Sequence, residues 1–172
     1  DLSPRTVASR LVDALVERGV DTFFGVPGGP ICAFFEALRL DSRARLVESR
    51  HETHAAFAAT AYYRSTGRVA GVIVTAGPGI TNAVTGIASA FGEGVPLLVI
   101  AGDVAWNTAG KRLAQASGPG GFHAEGLLGP VTRAAVRVGS PIGAVAQCLD
   151  ALDRATDPNL PGANVITFGG QA

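Results

Sequence analysis

The sequence predicts an α/β protein in which a parallel six-stranded sheet carries helices on both faces. Helical apolar spacing and short apolar runs alternate along the chain, which is typical of parallel sheets covered by helices. The run "VAGVIVTAG" (69–77) is apolar on both faces, as a strand buried between two helix layers must be. The 172 residues are 47% hydrophobic and 16% charged, which suits one domain with a sizeable core.

The predicted helices show apolar spacing, with turn residues at their ends. The first has Ser3 and Pro4 as cap and first-turn proline, and Gly19 ends it. The third is rich in alanine and ends at Gly67, and the fourth has small residues suited to close packing. The helices are predicted at 7–18, 31–40, 52–65, 80–91 and 142–155. The strands are predicted at 21–26, 44–49, 69–77, 95–102, 131–138 and 163–168.

Composition and charge argue against several classes of partner. The formal net charge is zero and no basic patch is present, so we expect neither nucleic acid nor an anionic membrane as a partner. No apolar run reaches the roughly 18 residues of a membrane helix. Cys32 and Cys148 form no metal or redox motif, which fits a reducing compartment, so a cytoplasmic location is expected.

Four loops follow predicted strands at the sheet edge where open α/β proteins bind ligands. They are "GVPGGP" (25–30), "SRHE" (49–52), "TAGPGITN" (75–82) and "AGDVAWNTAG" (101–110). Glycines there allow a ligand to approach the backbone, and a helix start offers free N–H groups. Neither G-x-x-x-x-G-K-[ST] nor G-x-G-x-x-G is present, so a nucleotide site is weakly supported. The long glycine-rich segment 105–121 is expected to be functional or mobile.

The stretch "RHETHAAFAA" (50–59) allows two interpretations of Glu52. It approaches the zinc motif H-E-x-x-H, but Ala55 stands where the second histidine belongs, so we expect no metal site. An acidic residue in a first turn can simply favour the helix dipole. Glu52, however, follows a buried strand at the ligand-binding edge and precedes an almost uncharged helix, a setting suited to proton exchange with a ligand.

Taken together, these stretches resemble the pyrimidine-binding (PYR) domain of thiamine-diphosphate enzymes, within the acetolactate synthase group. The matching segments are "GVDTFFGVPGG" (19–29), "RHETHAAFAA" with "YRSTG" (50–67), "VIVTAGPGITNAVTGIASA" (72–90) and "VPLLVIAGDV" (95–104). The likeness covers nearly the whole chain. No single motif decides it, but their order and spacing are specific together. It implies a single PYR-type domain over residues 1–172.

The resemblance also implies residue roles. Glu52 matches the catalytic glutamate, which would hydrogen-bond the pyrimidine ring of thiamine diphosphate and favour the tautomer that removes the thiazolium proton. The other residues implied to contact the cofactor are Pro27, Gly28, Gly77, Pro78, Gly79 and Asn82. Gln115 falls where acetolactate synthases carry a glutamine near the substrate, although Ala114 replaces a phenylalanine. His123 is a weaker substrate candidate, and a solvated loop histidine is the simpler interpretation.

Three departures from the family pattern bear on substrate and partner. The usual D-G-Y-A-R run reads "TAYYR" (60–64), and the segment 116–129 is longer and richer in glycine. The family binds magnesium and diphosphate through a second domain with a G-D-G motif, and the 172 residues contain no G-D-G. The resemblance therefore implies that this chain supplies half of an active site. A partner chain, or a removed domain, would bind Mg²⁺ and the diphosphate.

The resulting hypothesis is the PYR subunit of a split carboligase. Together with its partner, in an even-numbered hetero-oligomer, it would decarboxylate a 2-oxo acid and join the activated aldehyde to an acceptor carbonyl. Two alternatives stay open, namely a two-subunit 2-oxo acid decarboxylase and a non-catalytic PYR-like regulatory or structural subunit. The retained Glu52 argues against the non-catalytic alternative. A small-ligand α/β protein unrelated to thiamine is a further, weaker possibility.

Overall fold

A single sheet organises the chain in the computed structural model, which describes residues 6–108, 110–111, 113–118 and 120–169. The sheet has six strands in the order β2-β1-β3-β4-β6-β5, and all neighbouring pairs are parallel. The strands are β1 Thr22–Gly25, β2 Arg45–Glu48, β3 Gly71–Val74, β4 Leu97–Asp103, β5 Ala134–Val138 and β6 Ala163–Gly169. The predicted α/β class and the parallel six-stranded sheet are confirmed.

Six helices in the described residues connect the strands and cover both faces of the sheet. They are α1 Val7–Glu17, α2 Cys32–Leu40, α3 Glu52–Thr66, α4 Pro78–Gly92, α5 Ala124–Leu128 and α6 Ala144–Ala155. One apolar layer joins α1, α2 and α6 to strand residues such as Ile73 and Ile166. The other joins α3, α4 and α5 to alternate strand residues such as Val72 and Val165. Because side chains alternate along a strand, each apolar strand contributes to both layers.

The helix ends agree with the predictions to within a few residues, with two differences. Thr6 caps α1, its Oγ1 accepting a hydrogen bond from the Ser9 amide at 3.1 Å, whereas Ser3 and Pro4 lie outside the described residues. The helix α5 was not predicted. It has five residues within a glycine-rich stretch, too few for a periodic apolar pattern. Gly67 ends α3, as predicted, and the structure shows it in a left-handed conformation.

The sheet order places a ligand crevice at one position. From β1 the chain first moves outward to β2 and then returns across β1 to β3. Such a reversal leaves an open crevice at the carboxyl ends of the two strands on either side of it, here β1 and β3. The loops after β1, β2 and β3 all meet at this edge, and they contain most of the predicted site residues.

Close packing of α3 against α4 fixes the first turns of these two helices relative to each other. A Cβ atom on Gly86 would come within 3 Å of the Ala56 Cβ atom, so only glycine fits at this crossing. Ala55, Ala56 and Ala59 are buried on the facing surface. Small residues let the two backbones approach, and this approach brings Glu52 of α3 near Asn82 of α4.

Candidate active site

Glu52 is the first residue of α3 and is only 6% exposed. His51 caps the helix, its Nδ1 accepting a hydrogen bond from the Thr53 amide at 3.2 Å. The carboxylate therefore lies at a helix N-terminus, where the peptide dipoles favour negative charge. Its Oε2 atom accepts a hydrogen bond from Asn82 Nδ2 at 3.0 Å. Among the described residues no hydrogen bond reaches Oε1, which leaves that oxygen available to a ligand.

Asn82 lies in the second turn of α4 and links the two helices at two points. Its side chain donates to Glu52, and its backbone carbonyl accepts a hydrogen bond from the Thr53 hydroxyl. The amide donor holds Glu52 Oε2 in one orientation, so the remaining oxygen has a fixed direction as well. A hydrogen bond to a carboxylate is stronger than one between neutral groups.

Thr75, which follows β3, packs its side chain closely against two glycines of neighbouring loops. A Cβ atom on Gly28 would lie 2.5 Å from Thr75 Oγ1, and one on Gly79 would lie 2.8 Å from Thr75 Cγ2. The hypothetical Gly79 Cβ would also lie 3.6 Å from Glu52 Oε1, so the contact between Gly79 and Thr75 adjoins the carboxylate. Thr75 Oγ1 is buried and has no hydrogen-bond partner among the described residues.

Gly77 holds the loop before α4 in a shape that requires glycine. Its φ of 62° is in the left-handed region, and a Cβ atom there would lie 2.8 Å from the Cα of Gln115. Its amide donates to Ser117 Oγ at 3.4 Å. Pro78 occupies the first position of α4, where a missing N–H has no cost. The segment 115–117 thus packs directly on the loop that precedes α4.

The structure brings most of the predicted site residues to one edge of the sheet. Gly28 and Gly79 pack against Thr75, and Gly79 also lies beside Glu52. Asn82 is hydrogen-bonded to Glu52, and Gly77 precedes the helix that carries Gly79 and Asn82. Pro27 is exposed in the loop after β1. The roles proposed for these residues remain predictions.

The two weaker substrate candidates occupy different positions. Gln115 is exposed, and its backbone contacts Gly77 at the site. His123 caps α5, its Nδ1 accepting from the Gly126 amide at 3.2 Å. In the described residues no hydrogen bond or ring contact joins His123 to Glu52, Asn82 or Gly77. A substrate role for either residue stays a prediction.

Sequence reasoning did not single out four residues that shape the site. Thr75 sits within the quoted loop "TAGPGITN" but resembles an ordinary strand residue. Ser117, Asp103 and Arg137 form a buried polar cluster beside Gly77, described below. A charged residue, Asp103, at the end of an apolar strand was the one available signal. Its partners are 14 and 34 positions away, so no local pattern could reveal them.

A cavity of about 460 Å³ lies between α1, the loop after β1 and the end of β4. Its lining is mainly apolar and includes Leu11, Ile31, Phe34 and Phe168. Asp103 is its one carboxylate, and both Asp103 oxygens are already engaged by Ser117 and Arg137.

Comparison with known proteins identifies the family. Residues 5–125 match the family described as thiamine pyrophosphate enzyme, N-terminal TPP binding domain. The chain belongs to the thiamine pyrophosphate enzymes. The matched range includes Glu52, Asn82, Thr75 and the two glycines that pack against Thr75. The site described above therefore lies inside the family's TPP binding domain. Thiamine pyrophosphate and thiamine diphosphate are two names for one cofactor.

Relatives of this thiamine pyrophosphate enzyme domain include acetolactate synthases. The catabolic acetolactate synthase of Raoultella terrigena is 35% identical over 161 residues, which is 94% of this chain and 28% of that protein. The acetolactate synthase of Bacillus subtilis is 40% identical over 131 residues, 76% of this chain and 22% of its own length. The chain thus spans less than a third of these relatives. The resemblance to the acetolactate synthase group is confirmed.

The residues at the site fit the aminopyrimidine of thiamine diphosphate. Such a ring is flat and carries both hydrogen-bond donors and acceptors at its edge. The two glycines bring the loops after β1 and β3 close to the Thr75 side chain, beside Glu52, and a side chain at either position would displace it. Glu52 Oε1 and Thr75 Oγ1 are polar atoms without a partner in the described residues, as a ligand with polar edges requires.

Metal and membrane features are absent from the described part of the chain. Within those residues no three His, Cys, Asp or Glu side chains are grouped as a metal site. The rings of His51 and His54 lie 5.7 Å apart, and His51 is engaged as the α3 cap. None of the helices within residues 6–169 that the structure describes has the length and apolar character needed to cross a membrane.

Proposed function

We propose that this chain is the pyrimidine-binding half of a thiamine-diphosphate-dependent carboligase that acts on a 2-oxo acid. The observation that carries the proposal is the buried Glu52 carboxylate, fixed by Asn82 and without a hydrogen bond at Oε1 among the described residues, beside the contact of Gly79 with Thr75. When bound, the cofactor supplies the carbanion chemistry by which a 2-oxo acid loses CO₂ and its carbonyl carbon becomes a nucleophile.

The residues of this chain bind, orient and exchange a proton. Glu52 Oε1 holds a proton shared with a pyrimidine nitrogen, and Asn82 keeps that oxygen pointed at the ligand. Gly28 and Gly79 hold Thr75 in place, and its unpartnered hydroxyl would be available to a polar atom of the ring. The surrounding helices α3 and α4 are largely apolar, so they keep water from the carboxylate and strengthen its hydrogen bonds.

A second domain completes the proposed active site. The 172-residue sequence has no G-D-G motif with which to hold Mg²⁺ and the diphosphate. We therefore assign those groups to a partner chain in a hetero-oligomer, or to a further domain of a longer polypeptide. The carboligase assignment is supported by relatives named acetolactate synthase, one of which aligns over 94% of this chain. The acceptor is an electrophilic carbonyl compound.

Replacement of Glu52 by glutamine tests the proposed role. Glu52→Gln keeps the shape of the side chain but cannot exchange a proton, so we expect turnover of a 2-oxo acid to fall by about 10²-fold or more. The measurement is steady-state CO₂ release and acetolactate-type product formation by the natively purified assembly. Glu48→Gln, at an exposed carboxylate of the edge strand β2, is the matched control and should retain full activity.

The outcomes separate the candidate functions. A Glu52→Gln assembly that turns over as fast as wild type removes the proposed role of this residue. CO₂ release without ligated product identifies a 2-oxo acid decarboxylase instead. A native assembly that takes up no thiamine diphosphate and Mg²⁺ in calorimetry indicates the non-catalytic subunit. A co-purifying chain with G-D-G supports the split organisation.

A further inference from the structure

Asp103 lies at the end of β4 and is 2% exposed, and its hydrogen bonds go to Val104, Ser117 and Arg137 instead of to Glu52, Asn82 or Thr75. Its Oδ1 atom accepts hydrogen bonds from the Val104 amide at 2.7 Å and from the Ser117 amide and hydroxyl, both at 3.0 Å. Its Oδ2 atom accepts from Arg137 Nη1 at 2.6 Å. Both oxygens of this buried carboxylate are therefore used to hold other parts of the chain.

Ser117 connects this carboxylate to the loop that precedes α4. It is fully buried, and its hydroxyl proton is directed to Asp103, so its lone pairs are directed elsewhere. One of them accepts the Gly77 amide at 3.4 Å. Two residues earlier, Gln115 packs its backbone against the Cα of Gly77. Asp103 thus fixes a segment that contacts Gly77 through both a hydrogen bond and van der Waals packing.

Arg137 anchors the other side of the cluster to the far strands of the sheet. Its side chain is 15% exposed, and its Nε lies 2.9 Å from Glu125 Oε1 without the alignment of a hydrogen bond. Thr167 of β6 donates to that same Glu125 oxygen at 2.9 Å. The cluster therefore spans β4, β5, β6 and α5. Removing one member of a buried charged group leaves its partner uncompensated, so this cluster resists displacement.

We propose that Asp103 is a positioning residue for the loop that contains Gly77 and precedes α4, and that it acts through Ser117. It holds the Gly77 amide and the segment 115–118 in place, and so fixes the start of α4 that carries Gly79 and Asn82. The part of this inference that concerns cofactor binding rests on the proposed function. No acid–base role for Asp103 is involved, because its two oxygens are fully engaged.

Two substitutions break the connection at different points. Ser117→Ala removes the acceptor of the Gly77 amide while its own backbone amide can still reach Asp103. Asp103→Asn removes the charge that holds both Ser117 and Arg137. Ser65→Ala is the matched control, since it also deletes one serine hydroxyl, bonded to the Ala61 carbonyl near the other end of α3. All three are made in the full chain and studied in its natively purified assembly.

The first measurement is residue-resolved hydrogen exchange, which needs no cofactor. Exchange of the Gly77 amide should rise about fivefold or more in Ser117→Ala and in Asp103→Asn, as loss of one hydrogen bond implies. The β3 amides, which report the stability of the whole sheet, should stay unchanged in Ser117→Ala, and the control should match wild type throughout. Unchanged Gly77 exchange in Ser117→Ala overturns the proposal.

The second measurement is calorimetric titration with thiamine diphosphate and Mg²⁺. Positioning predicts an affinity roughly tenfold weaker in Ser117→Ala at unchanged folding stability, because a misplaced loop loses oriented contacts. Faster exchange of the Gly77 amide together with a wild-type affinity for thiamine diphosphate would show that the cluster stabilises the loop without affecting cofactor binding. That result would overturn the positioning role. Failure of wild type itself to bind would overturn the proposed function, whereas the exchange experiment would still decide whether the cluster stabilises the loop.

Discussion

At the scale of single residues, two neighbouring glycines have opposite expected tolerance to substitution. A Cβ atom on Gly28 would lie 2.5 Å from the Cβ and Oγ1 atoms of Thr75, whereas one on Gly29 would meet nothing within 4 Å. Gly28→Ala should therefore push the loops after β1 and β3 apart and lower the free energy of unfolding by about 1–3 kcal/mol. Urea denaturation measures this change, and thiamine diphosphate titration should show weaker binding.

Gly29→Ala is the control for that prediction, with stability and binding close to wild type. Equal effects of the two substitutions would show that general loop rigidity, rather than the contact with Thr75, sets the requirement for glycine. The loops that contain these glycines could be predicted because they follow strands, whereas the cofactor role of Gly28 came from the family resemblance and stays a prediction. The contact of Gly28 with Thr75 could not be predicted, because a threonine at the end of an apolar strand has an ordinary strand composition.

At the scale of elements, the crossing of α3 and α4 determines the distance between Glu52 and Asn82. Gly86→Ala would place a methyl group within 3 Å of the Ala56 side chain, and 3.3 Å from the Thr53 carbonyl oxygen. We expect it to lower the free energy of unfolding by about 2–3 kcal/mol, since overpacking forces backbone shifts. Thermal and urea denaturation measure this change. A larger distance between α3 and α4 should also move Glu52 away from Asn82 and weaken cofactor binding.

Gly92→Ala provides the matched control on the same helix. Gly92 is the last residue of α4, and a Cβ atom there would meet nothing within 4 Å. Its replacement should change stability by less than about 0.5 kcal/mol, or raise it slightly, because alanine favours the helix. A Gly86→Ala variant as stable as Gly92→Ala would mean that the two helices can move apart at no cost.

The elements also show what a sequence pattern can and cannot determine. The six strands were predicted from short apolar runs, and the five longer helices from apolar spacing or from stretches rich in alanine and other small residues. The strand predicted at 69–77 is shorter in the structure, Gly71–Val74, since the apolar residues after it belong to the site loop. The helix α5 and the Asp103–Arg137 pair depend on contacts distant in sequence, which no local period reports.

At the scale of the whole molecule, an ionisable thiol buried in one of the two apolar layers makes folding stability depend on pH, and this dependence tests the packing of that layer. Cys148 of α6 is fully buried in the layer with α1 and α2, and burial raises the pKa of its thiol from 9.0 to about 12. In the unfolded chain the thiol ionises near its ordinary pKa. Between these two values the unfolded state binds fewer protons than the folded state, so stability falls as pH rises.

The expected result is a loss of about 1 kcal/mol per pH unit above pH 9 that depends on Cys148. The measurement is urea denaturation from pH 8 to 11, comparing the slopes of wild type and Cys148→Ala. Cys148→Ala should be less stable at pH 8, because it leaves a cavity, but should lose stability less steeply. Cys32→Ala, at an exposed thiol, should keep the wild-type slope. Parallel curves for wild type and Cys148→Ala would contradict the burial of the Cys148 thiol between α6 and the sheet.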